Sequence, residues 1–222
     1  MHSVQDKTCP EGNDHEQHPD TSKEALKLII RYRTKKISAF LGSSTLDILE
    51  LGVGSGVNLV NLPARRRVGE DLTPGYAVYL RKHGVEFVSG LSQLSGQQFD
   101  IVILSHVMEH LLDPAKKLVE IGSLLKPGGK LLLTVPLEPP ARTVSLKDNN
   151  HNLFSWNVQT LSEFLKACGY SAGSFRVRRY GYDNFAAELA VRLKCGWLLY
   201  RCLLLLLRIV RPRYEIQAVA GF

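Results

Sequence analysis

Three glycines at alternate positions, Gly52, Gly54 and Gly56, follow an apolar run that begins at Leu46. A turn of this kind lets backbone come close to a ligand and presents its N–H groups near the start of the next helix. Glu50 stands two residues before the first glycine and puts a carboxylate at the same mouth. That charge repels a pyrophosphate and welcomes an amino group or a sulfonium. A dinucleotide fingerprint needs a glycine at position 57, where Val57 stands, so a dehydrogenase is disfavoured. Asp71 closes a second apolar run about 20 residues further on, where α/β nucleotide sites set an acid against ribose hydroxyls. Its plainer role is a cap for the helix near Thr73 and Pro74.

Other candidates for chemistry are histidines. His106, Glu109 and His110 have i, i+3, i+4 spacing, which places them on one face of a short helix over Val107–Leu112. They can assist proton transfer, hold a metal, or simply fix the loop; the last reading is preferred and no metal is assigned. His151 lies in a long polar loop after the fifth strand, at the sheet edge where ligands sit, and is the first candidate for general base or acceptor contact. A loop-anchoring hydrogen bond is its equal alternative. His2, His15 and His18 belong to a polar segment with almost no apolar content, expected as a disordered tail over 1–22.

The elements that must position these residues alternate. A helical pattern starts at Ser22 and ends near Gly42, with Leu26, Ile29, Ile30 and Ile37 at helix spacing. Strands are expected at Leu46–Leu51, from Arg67, at Val85–Val88, from Phe99 and at Lys130–Val135, with helices at Tyr76–His83 and Pro114–Leu125. A helix over Asn157–Cys168 and two last strands, Phe175–Tyr180 and Tyr214–Val219, follow. This order implies α/β architecture: a Rossmann-like, mostly parallel seven-stranded sheet with helices on both faces and an antiparallel last strand. Residues 23–222 are expected to form one domain.

Together the glycine turn, the Val68–Pro74 segment, the run from Phe99 to Pro114, Leu124–Pro136 and His151–Tyr170 resemble the class I S-adenosylmethionine-dependent methyltransferases. The branch is the broad one that includes the ubiquinone-biosynthesis O-methyltransferases. The resemblance implies S-adenosyl-L-methionine as cofactor, with Gly52, Gly54 and Gly56 around its methionine part and Glu50 beside it. It implies Asp71 on the ribose, Leu72 against the adenine, and Ser105 and His106 closing the site. Where many relatives carry an acid that touches the adenine amino group, Gly90 stands here, and Leu91 or Ser92 is expected to substitute. Relatives also carry a glutamate in place of His106, which makes magnesium a poorer match. The implied function is methyl transfer to a small-molecule or lipid-linked acceptor, at oxygen; the alternative is a binding or scaffold protein that keeps the fold without activity.

The chain of 222 residues has a formal charge of +7, and the whole excess lies between Arg176 and Arg213, which hold nine basic and two acidic residues. The remainder is neutral, which argues against a nucleic-acid partner. Four cysteines without a CxxC pair suit a reducing compartment, and the polar N-terminal stretch has no apolar h-region, so a secretory signal is not expected. Within 185–210 a helical segment is expected, with Lys194, Arg201 and Arg208 on one stripe and leucines around them. Three readings stay open: an anionic membrane surface met through 185–211, packing on its own core, or a homodimer contact. Arg201 interrupts the apolar run, so a spanning helix is disfavoured. The expected location is cytoplasmic, peripheral at the inner face of the membrane.

Overall fold

The computed structural model describes residues 21–41, 45–137 and 152–222. His151, Cys9 and the tail up to residue 20 lie outside them. The helix at the start, α1 (Lys23–Ser38), is capped by Ser22, whose side-chain oxygen accepts from the Ala25 N–H at 3.3 Å. Thr21 is buried and Ser22 also reaches Glu188, so the expected tail boundary at 22 moves back: these two residues belong to the folded body.

Seven strands form one sheet: β1 (Asp47–Leu51), β2 (Arg66–Glu70), β3 (Glu86–Val88), β4 (Phe99–Ser105), β5 (Leu125–Leu137), β6 (Ser171–Arg179) and β7 (Tyr214–Gly221). Their spatial order is β3-β2-β1-β4-β5-β7-β6, with β7 antiparallel to both neighbours and the other pairs parallel. The expected mostly parallel sheet with an antiparallel last strand is what the chain forms. All five residues of β1 are buried, as a central strand covered on both faces requires. Ile48 turns to a cluster with Leu59, Leu80, Ile103 and Ile30 of α1. Leu49 turns to the opposite face, with Val102, Leu118 and Leu161. There α3 (Pro114–Ser123) and α4 (Val158–Ala167) cover the sheet, while α2 (Ala77–Lys82) lies with α1.

Three local expectations differ. Val107–Leu112 is no helix; only a single 3-10 turn forms at Met108–His110. The Glu109 carbonyl accepts from Leu153 at 2.7 Å, and Pro114 pushes the residue before it out of the helical region. The fifth strand, expected from Lys130, already starts at Leu125, which pairs with Phe99 before the register shifts. Finally, the segment expected over 185–210 is two helices, α5 (Asp183–Arg192) and α6 (Gly196–Val210). The chain breaks at Lys194 and Gly196, both with positive φ, and Lys194 therefore leaves the helical stripe. Ala186, Ala187 and Ala190 let α5 approach Ala25 and Ile29 of α1 closely, and Tyr200 and Leu204 of α6 complete that cluster. Among the described residues no helix is long and apolar enough to cross a membrane.

Candidate active site

The strand order reverses between β1 and β4, so the turns after these two strands open onto one crevice at the sheet's C-terminal edge. The turn after β1 is tied to the turn after β2. Val53 N–H donates to the Glu70 carbonyl at 3.0 Å, and one Asp71 oxygen accepts from Gly54 N–H at 2.9 Å. The other Asp71 oxygen accepts from Thr73 N–H at 2.9 Å. Asp71 thus closes a turn onto Thr73 and does not cap the 3-10 turn at Pro74–Tyr76, which has no side-chain cap; each of its oxygens keeps a lone pair for a hydroxyl.

Gly52, Gly54 and Gly56 all have left-handed φ, at 65°, 48° and 71°. Their surroundings separate them. A Cβ on Gly52 would stand 2.5 Å from Val107, and one on Gly56 would stand 2.4 Å from Leu80. Packing inside the protein accounts for both. A Cβ on Gly54 meets nothing within 4 Å, so that turn faces open space.

Glu50 is 2% exposed. One carboxylate oxygen accepts from Asn58 Nδ2 at 2.6 Å, while the other is buried without a partner among the described residues. Burial pushes its pKa up to about 8, against the opposing pull of Asn58 and Arg33. A buried carboxylate with one free oxygen fits a ligand that brings its own positive charge, such as the ammonium of an amino-acid cofactor. Glu50, Asp71 and the open Gly54 could therefore hold S-adenosylmethionine.

The remaining candidates are spread around this crevice. Ser105 ends β4 and, with Asn58 and Gln217, lines a cavity of about 30 Å³ against α1, about the space of one water. Leu72 is 84% exposed. Leu91 opens a 3-10 turn and leans on the core.

His106 does not share a helix face with Glu109 and His110. It sits in left-handed backbone at φ 55°, just past β4. Its ring is nonetheless held: Nδ1 lies 3.5 Å from Glu109 and Nε2 3.2 Å from Glu215, with Tyr180 stacked at 5.0 Å between centroids. Burial alone would lower the His106 pKa, but the two carboxylates raise it above the ordinary value. Both ring nitrogens face carboxylates and the raised pKa favours the protonated ring, which makes His106 a poor acceptor of a proton. His110 is half-exposed, with Nε2 4.0 Å from Glu109. Among the described residues no group of three or more His, Cys, Asp or Glu side chains could hold a metal ion.

Glu215 was not singled out in the sequence. It is fully buried in β7, accepts from Lys36, and is bonded by Gln217 at 2.7 Å. Burial would raise its pKa, but His106 and Lys36 outweigh that and hold it near 2. Its signal is the one charged residue in β7. Asn58 carries a similar one, a polar residue inside the run from Val57 to Leu62.

The basic stripe also changes character. Arg208 packs over Tyr32 of α1, donates to the Gly181 carbonyl at 3.2 Å and to Tyr32 Oη at 2.6 Å, and lies 3.4 Å from Asp183. It faces inward, because Asp183 is buried and also paired with Arg33 at 3.1 Å.

A methyltransferase-domain family model matches residues 22–173 of this chain. The ubiquinone biosynthesis O-methyltransferase of Xanthomonas axonopodis pv. citri is 30% identical over 135 residues, 55% of this chain and 56% of that protein. The chain thus spans about half the length of such curated relatives. The solved phosphoethanolamine N-methyltransferase 2 of Haemonchus contortus, in complex with S-adenosyl-L-methionine, superposes with TM-score 0.62 at 19% identity, covering 94% of this chain and 58% of that one. The 1,6-didemethyltoxoflavin-N1-methyltransferase of Burkholderia thailandensis, solved with S-adenosylhomocysteine, gives 0.58 at 18% identity, covering 99% and 98%. These structures share the fold. A family match over most of the chain, on a sheet of this order with its glycine turn at the switch point, makes the chain a member of the class I S-adenosylmethionine-dependent methyltransferases.

Proposed function

We propose that the chain transfers a methyl group from S-adenosylmethionine to an oxygen of a small or lipid-linked acceptor. The observation that carries this is the unpartnered buried oxygen of Glu50 beside a turn whose middle glycine faces open space. Bound there, the cofactor supplies an electrophilic methyl on a sulfonium. Transfer to the acceptor oxygen would be a displacement at that methyl carbon, with the thioether as leaving group. The chain's own part is to align the two in line and exclude water. Glu50 and Asn58 hold the charged end, Asp71 the ribose hydroxyls, and Leu72 and Leu91 flank the adenine. His106, fixed by Glu109 and Glu215, is a positioning residue at the acceptor side, and His151 remains the candidate for the acceptor's proton.

Isothermal titration with S-adenosylhomocysteine is expected to show binding, and labelled methyl from S-adenosylmethionine is expected to appear on hydroxylated quinone, sugar or lipid acceptors. A folded sample that binds no S-adenosylhomocysteine removes the reading; binding without transfer to any acceptor leaves the binding-protein alternative. Asp71→Ala is expected to weaken S-adenosylhomocysteine by about 10- to 100-fold, the loss of hydrogen bonds to a charged group. Unchanged affinity moves the ribose contact to another residue.

The exposed side of α6 supports a peripheral location. Leu198, Leu205, Leu206 and Ile209 are all more than half exposed. Such a face suits the headgroup boundary of a membrane. Co-sedimentation with phosphatidylglycerol vesicles is expected, and Leu205→Asp with Ile209→Asp is expected to abolish it. Equal sedimentation of that variant rules out this face as the anchor.

A further inference from the structure

Between α1, the end of β6 and α6 lies a cleft of about 490 Å³. Seven basic side chains line it, Arg33, Lys35, Lys36, Arg178, Arg179, Arg201 and Arg208, against two acids, Asp183 and Glu215. The acids are already committed. Asp183 is paired with Arg33 and Arg208, and Glu215 with Lys36 and His106. Of the basic side chains, those of Lys35, Arg178, Arg179 and Arg201 make no hydrogen bond or ion pair among the described residues. Four unmatched cations around one concavity repel each other, and the net charge of its floor adds to that repulsion. All four are exposed, so water screens part of this repulsion; an anion with several oxygens relieves the rest, and arginine guanidinium groups match phosphate oxygens two at a time.

The position of the cleft ties it to the reaction. Arg178 and Arg179 pair in register with Glu215 and Tyr214, at the same sheet edge as Ser105 and His106. Tyr180, which lines the cleft, stacks on His106. Arg33, Lys36 and Phe40 are shared between the cleft and the small cavity that holds Ser105 and Asn58. The cleft therefore opens beside His106 and Tyr180, the side proposed above for the acceptor.

We propose that this cleft binds a phosphate or diphosphate ester carried by the methyl acceptor. The inference deepens the proposed methyl transfer and rests on it. Arg178 holds the anion from the sheet edge, on the face of β6 that Arg176 turns to Phe40 of α1, with Arg179 next to it at the rim; Arg201 and Lys35 reach from the two helices, and the paired Arg33, Lys36 and Arg208 form a positive floor. Arg201 has a further consequence. On α6 the stripe of Leu198, Leu205 and Ile209 runs beside the stripe of Arg201 and Arg208. A phosphate seated in the cleft can thus belong to a lipid whose chain lies on that apolar stripe, or to a water-soluble ester.

The test is titration calorimetry of the full chain, saturated with S-adenosylhomocysteine, with inorganic pyrophosphate in low salt. Pyrophosphate is expected to bind, and Arg178→Ala with Arg179→Ala is expected to weaken it at least about tenfold while leaving S-adenosylhomocysteine affinity and the melting temperature unchanged. No pyrophosphate binding by a chain that binds S-adenosylhomocysteine overturns the proposal, and so does equal binding by the double variant. Failure of S-adenosylhomocysteine to bind, with pyrophosphate binding still lost in the double variant, removes the methyl-transfer reading and with it the link to an acceptor. Farnesyl diphosphate separates the two sources. Binding about tenfold tighter than pyrophosphate, returned to the pyrophosphate level by Leu205→Asn, assigns a lipid ester; equal affinity assigns a soluble one.

Discussion

Glu50→Gln is expected to weaken S-adenosylhomocysteine by roughly 30- to 1,000-fold, the effect of removing the charged partner of a buried ammonium, about 2–4 kcal/mol. The variant keeps size and the hydrogen bond from Asn58, so the loss is electrostatic. The pH dependence is the sharper readout. In the ligand-free protein, burial holds the Glu50 pKa up to about 8, so the carboxyl is largely protonated at neutral pH. An ammonium ligand needs it ionised, and binding therefore releases a proton. Wild-type affinity is expected to rise about tenfold per pH unit between about pH 6 and 7.5. In Glu50→Gln that slope disappears. A slope that persists in the variant assigns the proton to another group, His106 being the nearest candidate.

Stability follows the same carboxyl with the opposite sense. The folded pKa of Glu50 lies above its unfolded value near 4.5, so the folded state holds the extra proton between these limits. Ligand-free stability accordingly falls as pH rises from about 4.5 through 8. Glu50→Gln is expected to melt higher than the wild type above pH 8 and to bind far less well. Thermal melts across that range, with and without S-adenosylhomocysteine, measure both.

Glu215→Gln is expected to lose about 3–5 kcal/mol, the cost of leaving buried cations without their partner. Glu215 is fully buried and serves both Lys36 and His106, whose side chains are largely covered. For a chain of this length that is a fall of about 10 °C in melting temperature. Lys36→Met combined with Glu215→Leu is expected to recover part of it, because an apolar pair of similar volume removes the stranded charge. The acid limb carries the sign. Glu215 is held near pKa 2, below its unfolded value, so its contribution is present above about pH 4.5 and lost as pH falls toward 2. A Glu215→Gln protein that melts like the wild type at pH 7 refutes the network. His106 works the other way: its raised pKa gives a contribution present below about 6.5 and lost as pH rises past the folded value.

The cofactor half of the site was legible because its cues are local. Left-handed glycines after an apolar strand, and an acid closing the next strand, are sequence neighbours of the turns they build, and Asp71 does bond to Gly54 within 17 positions. The sheet was legible for the same reason, since parallel buried strands are written as unbroken apolar runs. The His106 cluster was misread as a helix face because helix spacing was present over too few residues to outweigh Pro114 and the loop contacts of Glu109.

By itself, the sequence determined the succession of strands and helices of a mostly parallel α/β sheet, the glycine turn, and the confinement of a +7 excess to the stretch from Arg176 to Arg213. Tertiary structure decided which cations are spent. It turned Arg208 inward onto Asp183, brought Glu215 to His106 across 109 positions, and set Lys35 of α1 opposite Arg178, Arg179 and Arg201 around one cleft. It also decided that Gly54 alone among the three glycines faces open space and that one Glu50 oxygen lacks a partner. The physical reason is the same in each case. Backbone preference and burial pattern act between near neighbours and leave their mark in residue order, whereas charge pairing and desolvation depend on what the fold brings alongside from elsewhere in the chain.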